Sequence, residues 1–423
     1  MIGIDVPAPF LWAVRWLLFL GPLAAALVLG YRYRFDRRSL VGGLFSFLYG
    51  LAMIFVLHQL AMAVGWWRYG GDVLMFMGLP ADIWIGGALL FGPVLYFAFP
   101  RIAPLLLVLP IVIGLHGTVF RSLKPLVFAG EGWFLGVVLI FALAHLPAIY
   151  LARWTAADRR LALRATLLAI GYGFLAFGVL PSLIMQALAG SWSIGERPVW
   201  ALALCMPLLA LCLLMGLSAV QTFVVHGEGT PIPLDPTKRL VRTDLFAYLI
   251  NPMQLSTALT WILMGIALGN PWIASAAIMA WVFVQGMVRW HHRNDLLVRF
   301  PEGWPEYRRH VPEWIPRWRP WVPEPARLTY DPASRWQRRF VGWLGRRQPV
   351  GLYLVPGSVG AVYVAPGETR AFTGLAAYAK ALNHINFALA LVGAGLLLVA
   401  LPAGFLLAHV NPARRPEAAI KHG

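Results

Sequence analysis

Three histidines and two cysteines lie inside apolar stretches of this 423-residue chain, and they are its first candidates for chemistry. His58, His116 and His145 fall in three different predicted spans. An ionisable group within a span is a functional candidate by default. None has a second histidine or cysteine four residues on, the local spacing of a metal-binding pair. Two readings therefore stand: ligands to a haem or metal gathered from separate helices, or hydrogen-bonding groups between helices. Cys205 and Cys212 share one predicted helix, roughly 10 Å apart along its axis. That is too far for a disulfide, and they read as small core residues.

Two polar segments, residues 226–256 and 291–320, hold the densest chemistry elsewhere. An apolar block long enough to cross a bilayer about twice joins them. Taken residue by residue, Asn251 reads as a helix cap and Pro252 as a first-turn proline. His226 reads as a surface histidine at the bilayer edge, and Trp304 and Tyr307 as interfacial anchors.

The elements that position these groups are membrane helices. The chain is 59% hydrophobic and 13% charged, with a mean hydropathy of +0.69, whereas a soluble domain carries about 25% charge. A helix needs ~20 apolar residues to cross the hydrocarbon core. The pattern predicts nine spans, at 9–30, 41–65, 83–100, 102–120, 132–152, 161–188, 198–225, 248–268 and 270–290. A further apolar stretch, 385–409, is interrupted by Pro402 and is expected to embed in the membrane or pack on a partner.

The net charge of +17 would suggest nucleic acid in a soluble protein. Here the basic residues cluster in loops, which assigns them to topology instead. Groups around Arg32–Arg38, Arg153–Arg164, Lys238–Arg242 and Arg289–Arg347 fall on one side if every segment spans. The positive-inside rule makes that side cytoplasmic, with Arg121 and Lys124 as the exception. The N-terminus is then outside, without a cleavable signal. Three regions follow: a transmembrane bundle at 1–195, a three-span region at 196–325, and a more soluble region at 326–423.

The region 196–320 resembles the membrane methyltransferases that include isoprenylcysteine carboxyl methyltransferase and the phospholipid methyltransferases. Gly229, Thr230, Pro231, Pro233, Asp235, Pro236, Leu240, Val241, Tyr248, Asn251, Pro252 and Met253 match the first family motif. Leu296, Phe300, Tyr307, Val311, Pro312, Pro316 and Arg317 match the second without an insertion. The resemblance implies a fold that wraps S-adenosylmethionine between the two segments, and a lipid or prenylated acceptor entering from the bilayer. It implies cofactor contacts from His226, Gly229, Thr230, Tyr248, Asn251, Pro252 and Tyr307, with negative charge from Asp295 or Glu302. The departures fall on the polar recognition groups. Ile250 stands for the family arginine, Asp244-Leu245 for Gly-Pro, His292-Arg293 for the acidic pair, Pro301 for a glycine and Trp304 for a tyrosine.

Residues 330–386 resemble a thiol–disulfide oxidoreductase domain of the DCC type, which is thioredoxin-like. Tyr330 and Asp331 open the pattern, but Ser334 and Gln337 occupy the positions of its two cysteines. The resemblance implies a small α/β domain without redox chemistry.

The expected fold is thus an α-helical polytopic membrane protein of about nine spans with a small C-terminal α/β thioredoxin-like cytosolic domain. Its expected place is a bacterial inner membrane. Three functions compete: methylation of a lipid-linked acceptor, a catalytically inactive structural or assembly subunit of a membrane complex, and a sterol-reductase-type membrane reductase. No nucleic-acid partner is expected. The charge pattern makes one direct prediction. Single cysteines placed at Lys238 and Arg338 should react with a membrane-impermeant thiol reagent only from the cytoplasmic side. Labelling from outside intact cells would contradict the assigned orientation.

Overall fold

The structure is a computed structural model, which describes residues 8–33, 36–70, 74–115, 126–358, 360–365 and 371–400. His116, Arg121, Lys124 and Pro402 lie outside the described residues. The chain divides into two compact units, Met1–Trp192 and Ser193–Gly423.

The first unit contains α1 (Ala8–Tyr33), α2 (Arg37–Ala63), β1 (Trp67–Tyr69), β2 (Met75–Phe76), β3 (Leu79–Pro80), α3 (Asp82–Ala98), α4 (Pro104–Leu115), β4 (Val127–Ala129), α5 (Trp133–Ala156) and α6 (Leu161–Leu188). Asp36 starts α2, its carboxylate accepting from the Ser39 N–H at 2.7 Å. Helix α2 is the buried axis, with Phe45, Tyr49 and Ile54 inside, and it packs against the second half of α5 and against α6. Arg15 and Asp82 form a buried ion pair at 3.2 Å. Each of two expected histidines has a ring neighbour here. The His58 Nδ1 lies 2.6 Å from the Tyr69 hydroxyl, and His145 stacks on Phe91 at 3.7 Å.

The second unit contains α7 (Val199–Val225), α8 (Pro252–Ala267), α9 (Pro271–Arg299), α10 (Gly303–His310), β5 (Ala326–Tyr330), α11 (Arg335–Gly345), β6 (Leu352–Pro356), β7 (Val362–Val364), β8 (Ala371–Thr373), α12 (Leu375–Leu382) and α13 (Phe387–Ala400). The sheet order is β6-β5-β7-β8. Strands β5 and β6 run parallel, while β7 is antiparallel to both β5 and β8. Leu328, Tyr363 and Phe372 from the sheet pack with Leu344, Ala377 and Leu382 from the helices.

Among the described residues, six helices, α1, α2, α5, α6, α7 and α9, are long and apolar enough to cross a bilayer. Leu17, Leu27 and Val28 on α1, and Ile278, Met279 and Val282 on α9, are exposed. Apolar faces of this extent need lipid around them, and the chain is an integral membrane protein. Two of the nine expected spans, at 83–100 and 248–268, are the shorter helices α3 and α8, and the span expected at 102–120 is described only to residue 115, as α4. Pro252 fixes the start of α8, and the polar turn at Asn270-Pro271 ends its run, so it falls short of ~20 residues.

Of the apolar stretch expected at 385–409, the described part packs within the chain. Helix α13 lies against α7 and α12, with Ala390, Gly393, Ala394 and Leu397 buried. A Cβ at Gly393 would meet the Ala379 carbonyl oxygen at 2.5 Å, so only glycine permits this approach of α12 and α13.

Candidate functional site

Segment 226–256 leaves the end of α7, loops across, and turns into α8 at Asn251-Pro252. Segment 291–320 leaves α9 and is strapped onto the first. The Ile250 N–H donates to the Pro312 carbonyl at 2.9 Å, and the Arg317 N–H to Tyr248 at 3.0 Å. The Trp321 N–H donates to Ala247 at 2.9 Å, and the Tyr307 hydroxyl to Phe246 at 2.7 Å. Between the segments lies a cleft of about 700 Å3, its open mouth included.

The cleft collects three of the nine expected cofactor residues. Thr230, Asn251 and Tyr307 line it, together with Phe223, Ile250, Met253, Val288, His291, His292, Leu296 and Trp304. The other six are elsewhere or differently occupied. Gly229 presses its backbone onto the next loop, where a Cβ would lie 2.4 Å from the Thr237 Cα. Tyr248 is fully buried, donates to the Asn383 carbonyl at 2.8 Å and packs on Phe387. Pro252 opens α8. Asp295 pairs with Arg299 and lies 3.6 Å from the His291 Nε2. Glu302 is exposed and off the cleft. His226, read from the sequence as a surface residue, is buried.

His226 belongs to a polar cluster that the sequence reading missed. The Lys380 ammonium on α12 lies 2.5 Å from Asp244 Oδ2 and 2.6 Å from His226 Nε2. The Asn383 amide donates to Asp244 Oδ1 at 2.6 Å, and the Lys380 ammonium also sits 4.8 Å over the Phe372 ring. Both Lys380 and Asp244 are buried. Burial pushes the Asp244 carboxyl up, but Lys380 and His226 more than offset that and hold it well below the usual carboxylate range. Asp244 has φ +56, the left-handed backbone that suits glycine. The motif that this segment resembles has glycine at this position. Aspartate is among the few side chains that tolerate this conformation. One available signal was Lys380 itself, a lone cation in the alanine-rich run LAAYAKAL.

Ile250 packs with Leu296, Trp304, Tyr307 and Val311 in a buried apolar cluster. Among the described lining residues the cleft has no Asp, Glu, Lys or Arg. In the sheet domain, Gln337 accepts the Asp331 N–H at 2.8 Å and so pins the turn between β5 and α11. Among the described residues, no group of three or more His, Cys, Asp or Glu is placed to hold a metal ion.

No protein-family model, curated protein or solved structure matches the chain. The residues themselves therefore carry the functional argument.

His384, next to this cluster, sets a pH dependence. Its Nδ1 lies 2.7 Å from the Val350 carbonyl, so Nδ1 carries the proton and Nε2 accepts from the Tyr363 hydroxyl at 2.9 Å. Burial pushes its pKa down to about 4. Between about pH 6.5 and 4 the unfolded chain therefore binds a proton that the folded chain does not, and stability falls as pH falls. The whole interval is worth at most about 3 kcal/mol. Asp244 adds loss of the same sign only below about pH 4, as the unfolded carboxyl protonates. The melting temperature in detergent should drop from pH 7 to 4.5, and His384→Gln should flatten that slope. An unchanged slope in the variant would remove His384 as its source.

Proposed function

We propose that this chain is a non-catalytic subunit of a membrane complex, built on a methyltransferase-like membrane region and a thioredoxin-like C-terminal domain. The observation that carries this reading is the cleft lining. S-adenosylmethionine brings a sulfonium cation, a ribose and a charged amino-acid group. A charge removed from water needs a partner, or its desolvation goes uncompensated. The lining supplies no carboxylate and no guanidinium, and Ile250 is committed to apolar packing. These residues do not fit the cofactor.

The C-terminal domain supports the same reading. Its strand order β6-β5-β7-β8, with β5 and β6 parallel and β7 antiparallel to both β5 and β8, supports reading it as thioredoxin-like. Gln337 serves a structural hydrogen bond, and the two cysteines, Cys205 and Cys212, are buried in α7 instead. Both regions thus keep architecture and turn residues while polar chemistry is replaced by packing. The membrane is a bacterial inner membrane on this reading, with the sheet domain in the cytoplasm.

One observation favours a second reading, that of a living methyltransferase acting on a lipid or prenylated acceptor: Thr230, Asn251 and Tyr307 do line one cleft. Calorimetry on the full chain in detergent separates the two. The non-catalytic reading predicts no measurable heat from S-adenosylmethionine up to millimolar concentration. Micromolar binding, roughly −8 kcal/mol, would reject it and restore the enzyme.

A further inference from the structure

Asn251 is the unexplained residue of the cleft. It occupies the capping position of α8, yet its side chain makes no capping hydrogen bond. Its backbone carbonyl does the helical work, accepting from the Leu255 N–H at 3.0 Å. The residue is 3% exposed and lines the cleft, and its Nδ2 has no hydrogen-bond partner among the described residues. A buried amide donor left without an acceptor costs about 1–3 kcal/mol. Neither capping nor core packing accounts for it.

Its surroundings restrict what can satisfy it. Phe223, Val288, Leu296 and Trp304 give the cleft apolar walls. The absence of charged side chains from the described lining disfavours an ion. The cleft also opens among the ends of α7, α8 and α9, of which α7 and α9 are long enough to span. An apolar tail has lipid-facing helices beside it.

The geometry points to a ligand site in this cleft for the head of an uncharged, apolar-bodied molecule that presents a carbonyl oxygen to Asn251 Nδ2. The inference rests on the non-catalytic reading only in that the cleft is free of the charged cofactor. Two sources share this chemistry: the ester carbonyl of a neutral glycerolipid and the ring carbonyl of a quinone. No bond is made or broken in binding.

The test titrates the full chain in non-ionic detergent with three probes: a short-chain diacylglycerol, a decyl-substituted benzoquinone, and a phosphatidic acid of matching chain length. At least one uncharged probe should bind, and the one that does identifies the source. The phosphatidic acid should bind at least ten-fold more weakly. Asn251→Leu removes the orphaned donor, so it should leave the ligand-free melting temperature unchanged or higher while weakening probe binding at least ten-fold. Asn251→Asp, of equal size but without the donor, should weaken it as much. A merely structural Asn251 predicts the reverse, a lower melting temperature with binding unchanged. Binding of neither uncharged probe, equal binding of the phosphatidic acid, or affinity independent of Asn251 would overturn the site. S-adenosylmethionine is added separately. Its binding would reject the non-catalytic reading, whereas failure of the uncharged probes alone would reject only the ligand assignment.

Discussion

The contact between Lys380 and Asp244 is the constraint on which the second unit depends. Each charge is buried, and each would be intolerable there without the other. Asp244 sits in the loop that leads into α8, and Lys380 sits on the last helix of the sheet domain. Their pairing fixes where α12 lies, and α12 in turn seats α13 through the close approach at Gly393. The pair also recruits His226 at the end of α7, Asn383, and through the Asn383 carbonyl the buried Tyr248 hydroxyl. Specificity is the natural gain from such an arrangement. Apolar contacts alone tolerate many registers between α12 and the loop, but a buried ion pair tolerates one.

The same loop shows a division of labour. On one side of segment 244–250, Asp244 and Tyr248 turn toward the sheet domain and the polar cluster. On the other, Phe246 and Ile250 contribute to the cleft wall and its apolar cluster. Binding a charged cofactor would require polar groups on the cleft side. Here the charge lies on the side that faces α12, where it holds structure together. On the cleft side, the Asn251 Nδ2 has no hydrogen-bond partner among the described residues.

Much of this was readable from the chain, for reasons of length and period. Apolar runs longer than ~20 residues announce α1, α2, α5, α6, α7 and α9, because bilayer thickness sets that length. The polar segments were legible as a folded pair through Thr230, Asn251 and Tyr307, which the structure brings to one cleft. What was illegible is long-range. Lys380 and Asp244 lie 136 residues apart, and no local pattern links them. Asp244 looked like a departure from the glycine of the resembled motif, and its backbone is left-handed, the conformation that suits glycine. His226 looked like an interfacial residue because its partner was unknown. Asn251 stood at the capping position that sequence rules assign it, but its side chain is turned to another use.

A double-mutant cycle at Lys380 and Asp244 tests the central claim most directly. Asn in place of Asp244 keeps a side chain that accepts the left-handed backbone, and Met in place of Lys380 keeps the stem. Unfolding free energies in detergent are compared for wild type, Asp244→Asn, Lys380→Met and the double variant. The account predicts that Lys380→Met, which strands a buried carboxylate, costs about 3–5 kcal/mol. It also predicts that the double variant is clearly more stable than the sum of the single losses allows. Additive losses, agreeing within about 0.5 kcal/mol, would show that the two charges do not hold each other, and would contradict the account.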